Sequence, residues 1–316
     1  MKQQVQEAVR LPGAGVRKVP SRTFGEMKKN KHAYVLLAPY FLIFFVFTVG
    51  PVLMSFLLSF THFNMLEPPT WAGFENYARL AVKDDVFLIA VKNTLLFAAI
   101  TGPISYMACF LFAWLINELP PKLRAFLTLV LYAPSISGNA FLIWALMFSG
   151  DAYGYINSFL INWGFMLEPV QWLKDSHYIL GILIVVQLWL SLGTSFLAFI
   201  AGLQTVNKSL YEAGAIDGIR NRWQELWFIT LPAMRPQLMF GAVIQISGAF
   251  AVADISINLV GFPSVDYAGH TIVTHLIDYG TIRYNLGYSS AIATILFALM
   301  LGTNLITQKL LRKVGD

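Results

Sequence analysis

The chain has 316 residues, of which 57% are hydrophobic, 15% aromatic and 12% charged, against roughly a quarter charged in an ordinary soluble domain. A soluble protein of this composition would expose large apolar patches, whereas a bilayer accepts apolar surface, so the composition describes a multispanning membrane protein and excludes an ordinary soluble enzyme. The net charge of +5, from 22 Lys and Arg against 17 Asp and Glu, is expected to face lipid and not nucleic acid, and its placement is more informative than its total.

In chain order, a basic tail at residues 1–33 precedes a six-span domain at 34–316. Apolar runs of about 20 residues, enough for a helix to cross roughly 30 Å of hydrocarbon, occur at 34–60, 94–116, 125–148, 178–203, 237–260 and 286–308. Pro39, Pro51, Pro103 and Pro134 fall inside these runs and predict kinks, not breaks. Seventeen of the Lys and Arg residues lie in the tail, in 117–124, in 204–236 and at the C-terminal end. The other five share the loops 61–93, 149–177 and 261–285 with nine acids. By the positive-inside rule both termini are cytoplasmic and those three loops face outward. The expected fold class is an all-α integral membrane protein of six transmembrane helices, and the tail reads as leading into an uncleaved anchor.

Several chemistries have no residues to carry them. There is no Gly-Lys pair, so no phosphate-cradling P-loop, and no G-x-S-x-G, H-E-x-x-H or Cys/His cluster. The single cysteine, Cys109, builds neither a disulfide framework nor a thiolate metal site. His270 and His275 read as surface histidines at a membrane rim in preference to a metal pair.

The long cytoplasmic loop 205–236 is the most informative stretch. Residues 210–216 suit a short helix, Asp217-Gly218 a turn, and 223–230 a second helix with Trp223, Leu226, Trp227 and Thr230 on one stripe, stopped by Leu231-Pro232. Physics alone leaves two readings open: docking into a partner's groove, or an interfacial connector.

The order Glu212-Ala213-Gly214-x-x-Asp217-Gly218, followed by Ile229-x-Leu231-Pro232 and Pro236, resembles the EAA motif of permeases in binding-protein-dependent ABC importers of the maltose-type carbohydrate family. Ala38-Pro39, Gly50-Pro51, Gly73-Phe74-Glu75-Asn76-Tyr77, Asn93-Thr94, the segment 271–279 and Gly287-Tyr288-Ser289-Ser290-Ala291 extend the resemblance over about 34–311. Gly214 and Ile219 stand where the family pattern usually has alanine. The resemblance implies a type I ABC importer permease fold, with Glu212, Ala213, Gly214, Asp217, Gly218, Leu231 and Pro232 coupling the chain to an ATPase. It further implies a second homologous permease, two copies of a cytoplasmic ATPase subunit and an extracytoplasmic solute-binding protein. ATP and Mg would belong to the ATPase, leaving this chain without a cofactor and without catalytic residues of its own.

Polar residues inside spans are functional candidates because each costs free energy without a partner. They are Asn139, Gln187, Gln245, Asp254, Asn258 and Asn304, with Trp144 and Trp189 as stacking surfaces or belt residues. The resemblance favours the Gln245 to Gly248 region for substrate, while helical spacing carries Asp254 about two and a half turns further outward. Gln245 is expected to contact substrate or to bond a partner permease. Trp71, Phe74, Tyr77, Tyr153 and Tyr155 in the outward loops either meet the binding protein or pack the loops, with packing the reading for Trp71 and Tyr77. The expected activity is import of a sugar or oligosaccharide. The alternatives are import of a polyol or glycerophosphate by the same mechanism, a self-sufficient secondary transporter or channel, and a membrane enzyme. Lipid is the expected contact of the basic tail.

Overall fold

The computed structural model describes residues 31–312, so the tail before Lys31 and the last four residues lie outside the described residues. The described chain divides into two units between Met54 and Ser55. The first is a single helical run. Lys31–Phe44 carries Pro39 without interruption, a π turn follows at Phe45–Val49, and α-helix resumes at Gly50–Leu58. Pro51 accounts for the wide turn: its ring clashes with the carbonyl four residues earlier, and a π turn, in which the Gly50 N–H reaches the Phe45 carbonyl, opens that space.

The second unit is organised around one unbroken helix, Asp85–Asn117, of 33 residues, about 50 Å long at 1.5 Å per residue. It starts well before residue 94 because Asp84 caps it, accepting the Phe87 N–H at 2.9 Å. The last span, Leu286–Leu311, is likewise continuous.

The three spans between them are interrupted, which corrects the expectation of kinks only. The third consists of Pro121–Ile136 and Phe141–Met147, bent by 81°. Five helical runs of the described residues are long and apolar enough to cross a membrane, with Ser176–Thr205 and Arg235–Val260 each taken as one run through a short interruption, or six if this bent pair is one span. The fourth divides into Ser176–Leu190 and Thr194–Thr205, and the fifth into Arg235–Phe250 and Asp254–Val260. Proline does not decide where this happens: Pro103 leaves its helix intact, while the fourth and fifth spans break without one. Partners for the released backbone groups decide it, because hydrocarbon offers none. The Ser191 carbonyl accepts the Gln245 amide at 3.2 Å, and the Val252 carbonyl accepts the Thr271 hydroxyl at 2.7 Å.

Two apolar clusters seat the broken spans against the unbroken one. Cys109, Phe196, Phe199 and Met234 pack near the end that carries loop 205–236, and Phe97, Leu183, Val186 and Ile255 pack toward the other end. The fourth and fifth spans approach closely at Gly241. The Ser195 hydroxyl donates to the Gly241 carbonyl at 3.2 Å, and a Cβ at Gly241 would run into the Phe199 ring. That ring is itself held edge-on by Tyr106 and Phe110, at 5.5 and 5.8 Å. At the far end, a two-residue ladder pairs Thr61–His62 with Thr70–Trp71. Gly287 donates its N–H to the Phe63 carbonyl at 3.1 Å, and a Cβ there would collide with the Thr61 carbonyl.

Gly241→Ala is expected to destabilise the protein by about 1–3 kcal/mol through overpacking. Phe199→Leu in the same chain should recover part of that loss, so that the double mutant costs less than the sum of the singles. Thermal unfolding of the purified transporter followed by size-exclusion chromatography measures both.

Candidate functional site

The loop 205–236 folds nearly as its sequence suggests. Asn207 caps the helix Lys208–Ile216 by accepting the Ser209 N–H, and Gly218 takes φ +94°, a conformation that favours glycine at the turn. Asn221 caps Arg222–Glu225, a π turn covers Leu226–Thr230, and Leu231–Ala233 continues as a helical turn. Leu231-Pro232 therefore does not stop the second helix as expected, since proline is tolerated in a first turn; the change of direction comes at Met234, with φ −93° and ψ 7°.

Gly214 is buried under Ile229, and the Ile219 methyl lies 3.1 Å from where its Cβ would be. The space that Gly214 leaves is thus taken first by Ile229, with Ile219, the other departure from the family alanines, packed beside it. The opposite face of the helix is open: Glu212, Ala213, Asp217 and Gly218 are exposed, as is Ile216 at 88%. Behind this face the loop is braced. Tyr211 and Thr230 share a hydroxyl hydrogen bond of 3.0 Å. Trp223 packs on Trp114 of the unbroken span at 5.5 Å, and Arg222 reaches Glu118 at the end of that span, 3.5 Å away. Ile216, Trp114 and Arg222 were not singled out in the sequence, although an isoleucine among the polar positions of a short loop helix is a readable signal.

The candidate path residues gather at the interruptions of the spans. Asn139 lies in the break of the third span, exposed; Gln187 and Trp189 precede the break of the fourth, and Gly248, exposed, precedes that of the fifth. Gln245 donates to the Cys109 sulfur and to the Ser191 carbonyl, both at 3.2 Å. It therefore ties the second, fourth and fifth spans of its own chain together, beside a groove of about 460 Å³ with Gly102, Tyr106 and Thr303 among its walls. Asp254 does not continue the helix of Gln245. It opens Asp254–Val260, a separate helix, where it is exposed and supports the helix dipole. Asn258 donates to the Asp254 carbonyl at 2.7 Å. Trp144 and Trp189 meet edge to face at 5.7 Å. Among the described residues, the Trp144 indole nitrogen and the Asn304 amide oxygen are buried without a hydrogen-bond partner.

The histidines are not at the surface as expected. His270 is 2% and His275 1% exposed. The ionised Asp84 has only acceptor oxygens; it receives the Tyr288 hydroxyl at 2.7 Å and the His275 Nε2–H at 3.1 Å. His275 Nδ1 is then left to accept the Nε2–H of His270 at 3.1 Å. Around this chain, the Asn93 amide donates to the carbonyls of Tyr267, Ala268 and His270, and Thr94 accepts the Ile272 N–H at 2.9 Å. The polar cluster thus fastens segment 264–277 to the starts of the second and last spans. Burial opposes the charge on Asp84, but the hydrogen bonds from His275, Tyr288 and the Phe87 N–H outweigh it and hold the carboxyl well below the usual range. Burial pushes His270 down to about 4, and the neighbouring His275 adds to the push while Asp278 and Asp84 oppose it.

Asp84→Ala should cost about 2–4 kcal/mol, because it strands a buried hydroxyl and a ring N–H. An unfolded histidine binds its proton near pH 6.5, whereas folded His270 resists protonation down to about 4. Its contribution to stability is therefore complete above pH 6.5 and is lost as pH falls toward 4. Asp84 acts in the same direction at lower pH. Hydrogen exchange of residues 264–279 should accelerate between pH 7 and pH 5 after correction for intrinsic rates, and His270→Gln should flatten that dependence.

The comparisons with known proteins agree with this architecture. Residues 110–316 match the family described as binding-protein-dependent transport system inner membrane component. The arabinooligosaccharides transport system permease protein of Bacillus subtilis is 31% identical, with 89% of each chain covered. The lactose transport system permease protein of Rhizobium radiobacter is 29% identical over 85% of this chain and 90% of the relative. The sn-glycerol-3-phosphate transport system permease protein of Brucella suis is also 29% identical, with the same shares covered. In fold, the chain superimposes on a bacterial ABC transporter that imports the acidic polysaccharide alginate. The TM-score is 0.74, at 23% identity, covering 93% of this chain and all of that one. With the family matched over most of the chain, and with broken apolar spans joined by a braced loop, the protein belongs to the binding-protein-dependent transport system inner membrane components, the permeases of ABC importers.

Proposed function

We propose that this permease imports a sugar or oligosaccharide handed over by an extracytoplasmic binding protein, in a complex with a second homologous permease and two copies of a cytoplasmic ATPase. Relatives named for arabinooligosaccharides and lactose support the substrate class, as does the alginate transporter solved with its substrate-bound periplasmic protein. The sn-glycerol-3-phosphate relative favours a second reading, import of a glycerophosphate or polyol by the same route. The bent third helix pair counts as one span in this reading, giving six spans with both termini cytoplasmic, which the Lys and Arg distribution supports. The permease domain is 34–316 and the tail 1–33 meets lipid. ATP and Mg are bound by the ATPase.

One observation carries the mechanism: Glu212, Ala213, Ile216, Asp217 and Gly218 form an exposed face on a loop whose back is fixed to the unbroken span through Trp223 and Arg222. A face of this kind seats in a cleft of the ATPase, with Gly214, Leu231 and Pro232 maintaining its shape from behind. Closure of the ATPase dimer then moves the loop and the second span as one piece, and the broken spans repack about it. Asn139 borders the path within a break, and Gln187, Trp189, Gly248, Asp254 and Asn258 border it from the helices that flank one. Gln245 serves it by bridging three spans at the Ser191 break.

Glu212→Arg and Gly218→Pro are expected to abolish uptake and ATPase association while the permease still folds; unchanged uptake contradicts the coupling role. With assembly verified, Gln245→Ala and Asp254→Asn should alter apparent affinity or rate of uptake, and no change in either removes both from the path.

A further inference from the structure

Between the third and fourth spans, residues 152–167 contain no Asp, Glu, Lys or Arg. Their helix, Tyr155–Asn162, turns one aromatic edge outward. Tyr155 is 71%, Phe159 53% and Trp163 69% exposed, and Phe165 and Leu167 prolong the ridge at 69% and 96%. Phe159 and Trp163 pack together, tilted by 31° with ring centres 5.1 Å apart. In water this would be an unshielded aromatic ridge.

The other side of the helix sets its height. Asn157, 1% exposed, donates to the carbonyls of Ser149, Asp151 and Val170 at 3.0–3.1 Å. Its own oxygen accepts the Trp172 indole N–H at 2.8 Å. Ser149 comes two residues after Phe141–Met147 ends, and Trp172 packs on Phe148 and on Tyr178 in the first turn of Ser176–Leu190. The helix is therefore held at the points where two membrane helices end, and it packs against Phe141–Met147, on which Leu142 and Leu146 are exposed.

We propose that residues 153–167 form an interfacial anchor lying in the plane of the membrane, with Tyr155, Phe159 and Trp163 at the boundary between headgroups and acyl chains. Aromatic rings favour that boundary, and a segment with no charge gains nothing from anionic headgroups. The anchor would fix the depth of the bent third span and takes Tyr155 away from the surface that meets the binding protein.

Phe159→Cys, carrying a nitroxide, tests this in the assembled transporter in phosphatidylcholine nanodiscs; Cys109 is buried, and the unsubstituted chain gives the labelling background. Collisions with oxygen should exceed those with a water-soluble nickel chelate and place the label at the boundary between headgroups and acyl chains. That depth should not change when phosphatidylglycerol or the binding protein is added, and Trp163→Cys should report the same. Three results overturn the proposal: a label collided with freely by the chelate, a label shielded only once the binding protein is present, or a label inaccessible to both reagents because a partner permease covers it.

Discussion

Inside a bilayer no water is available to a released backbone carbonyl, so a membrane helix can break only where the protein supplies the hydrogen bond itself. Much of this structure follows from that constraint. The fourth span opens at Ser191 because Gln245, a residue 54 positions away, reaches its carbonyl. The fifth opens at Val252 because Thr271 does the same from the following loop. Gln245, a pathway candidate in the sequence, is thus also a side chain that makes a non-helical backbone tolerable at membrane depth.

Against the broken spans stand two helices without a break, and the longer of them, Asp85–Asn117, is fastened at both ends. At one end Trp114 and Glu118 receive Trp223 and Arg222 of the loop. At the other, Asp84, Asn93 and Thr94 engage His275, the carbonyls around Tyr267 and the Ile272 N–H. A displacement imposed on the loop has a stiff route to the opposite end of the second unit, while the interrupted spans supply the places where repacking is least costly. This division between a rigid strut and broken neighbours suits a permease that must open alternately to two sides.

The spans were legible because hydrocarbon thickness demands a length of apolar sequence that composition alone reveals. The turn at Asp217-Gly218 was legible because a positive φ selects glycine. The breaks were not, because an excursion of three residues from helical geometry changes no hydropathy average, and its cause lies in another span. Asp254 shows the consequence: counted along a continuous helix it lay about two and a half turns outward of Gln245, but the chain restarts there. His270 and His275 looked like rim residues because their partner Asp84 is 191 positions from His275. Gly214 and Ile219 looked like two separate losses of motif identity, and only the structure shows them to be neighbours, packed together against Ile229.

The central claim is that loop 205–236 and the span Asp85–Asn117 move as one body. Spin labels at Lys208→Cys on the loop helix and Leu115→Cys on the span, in the complete transporter, test it by pulsed electron–electron distance measurement with and without ATP. The account predicts a distance constant to within about 2 Å while the complex turns over. A shift of a helical turn, about 5 Å or more, would show that the loop slides on the span and would contradict the claim.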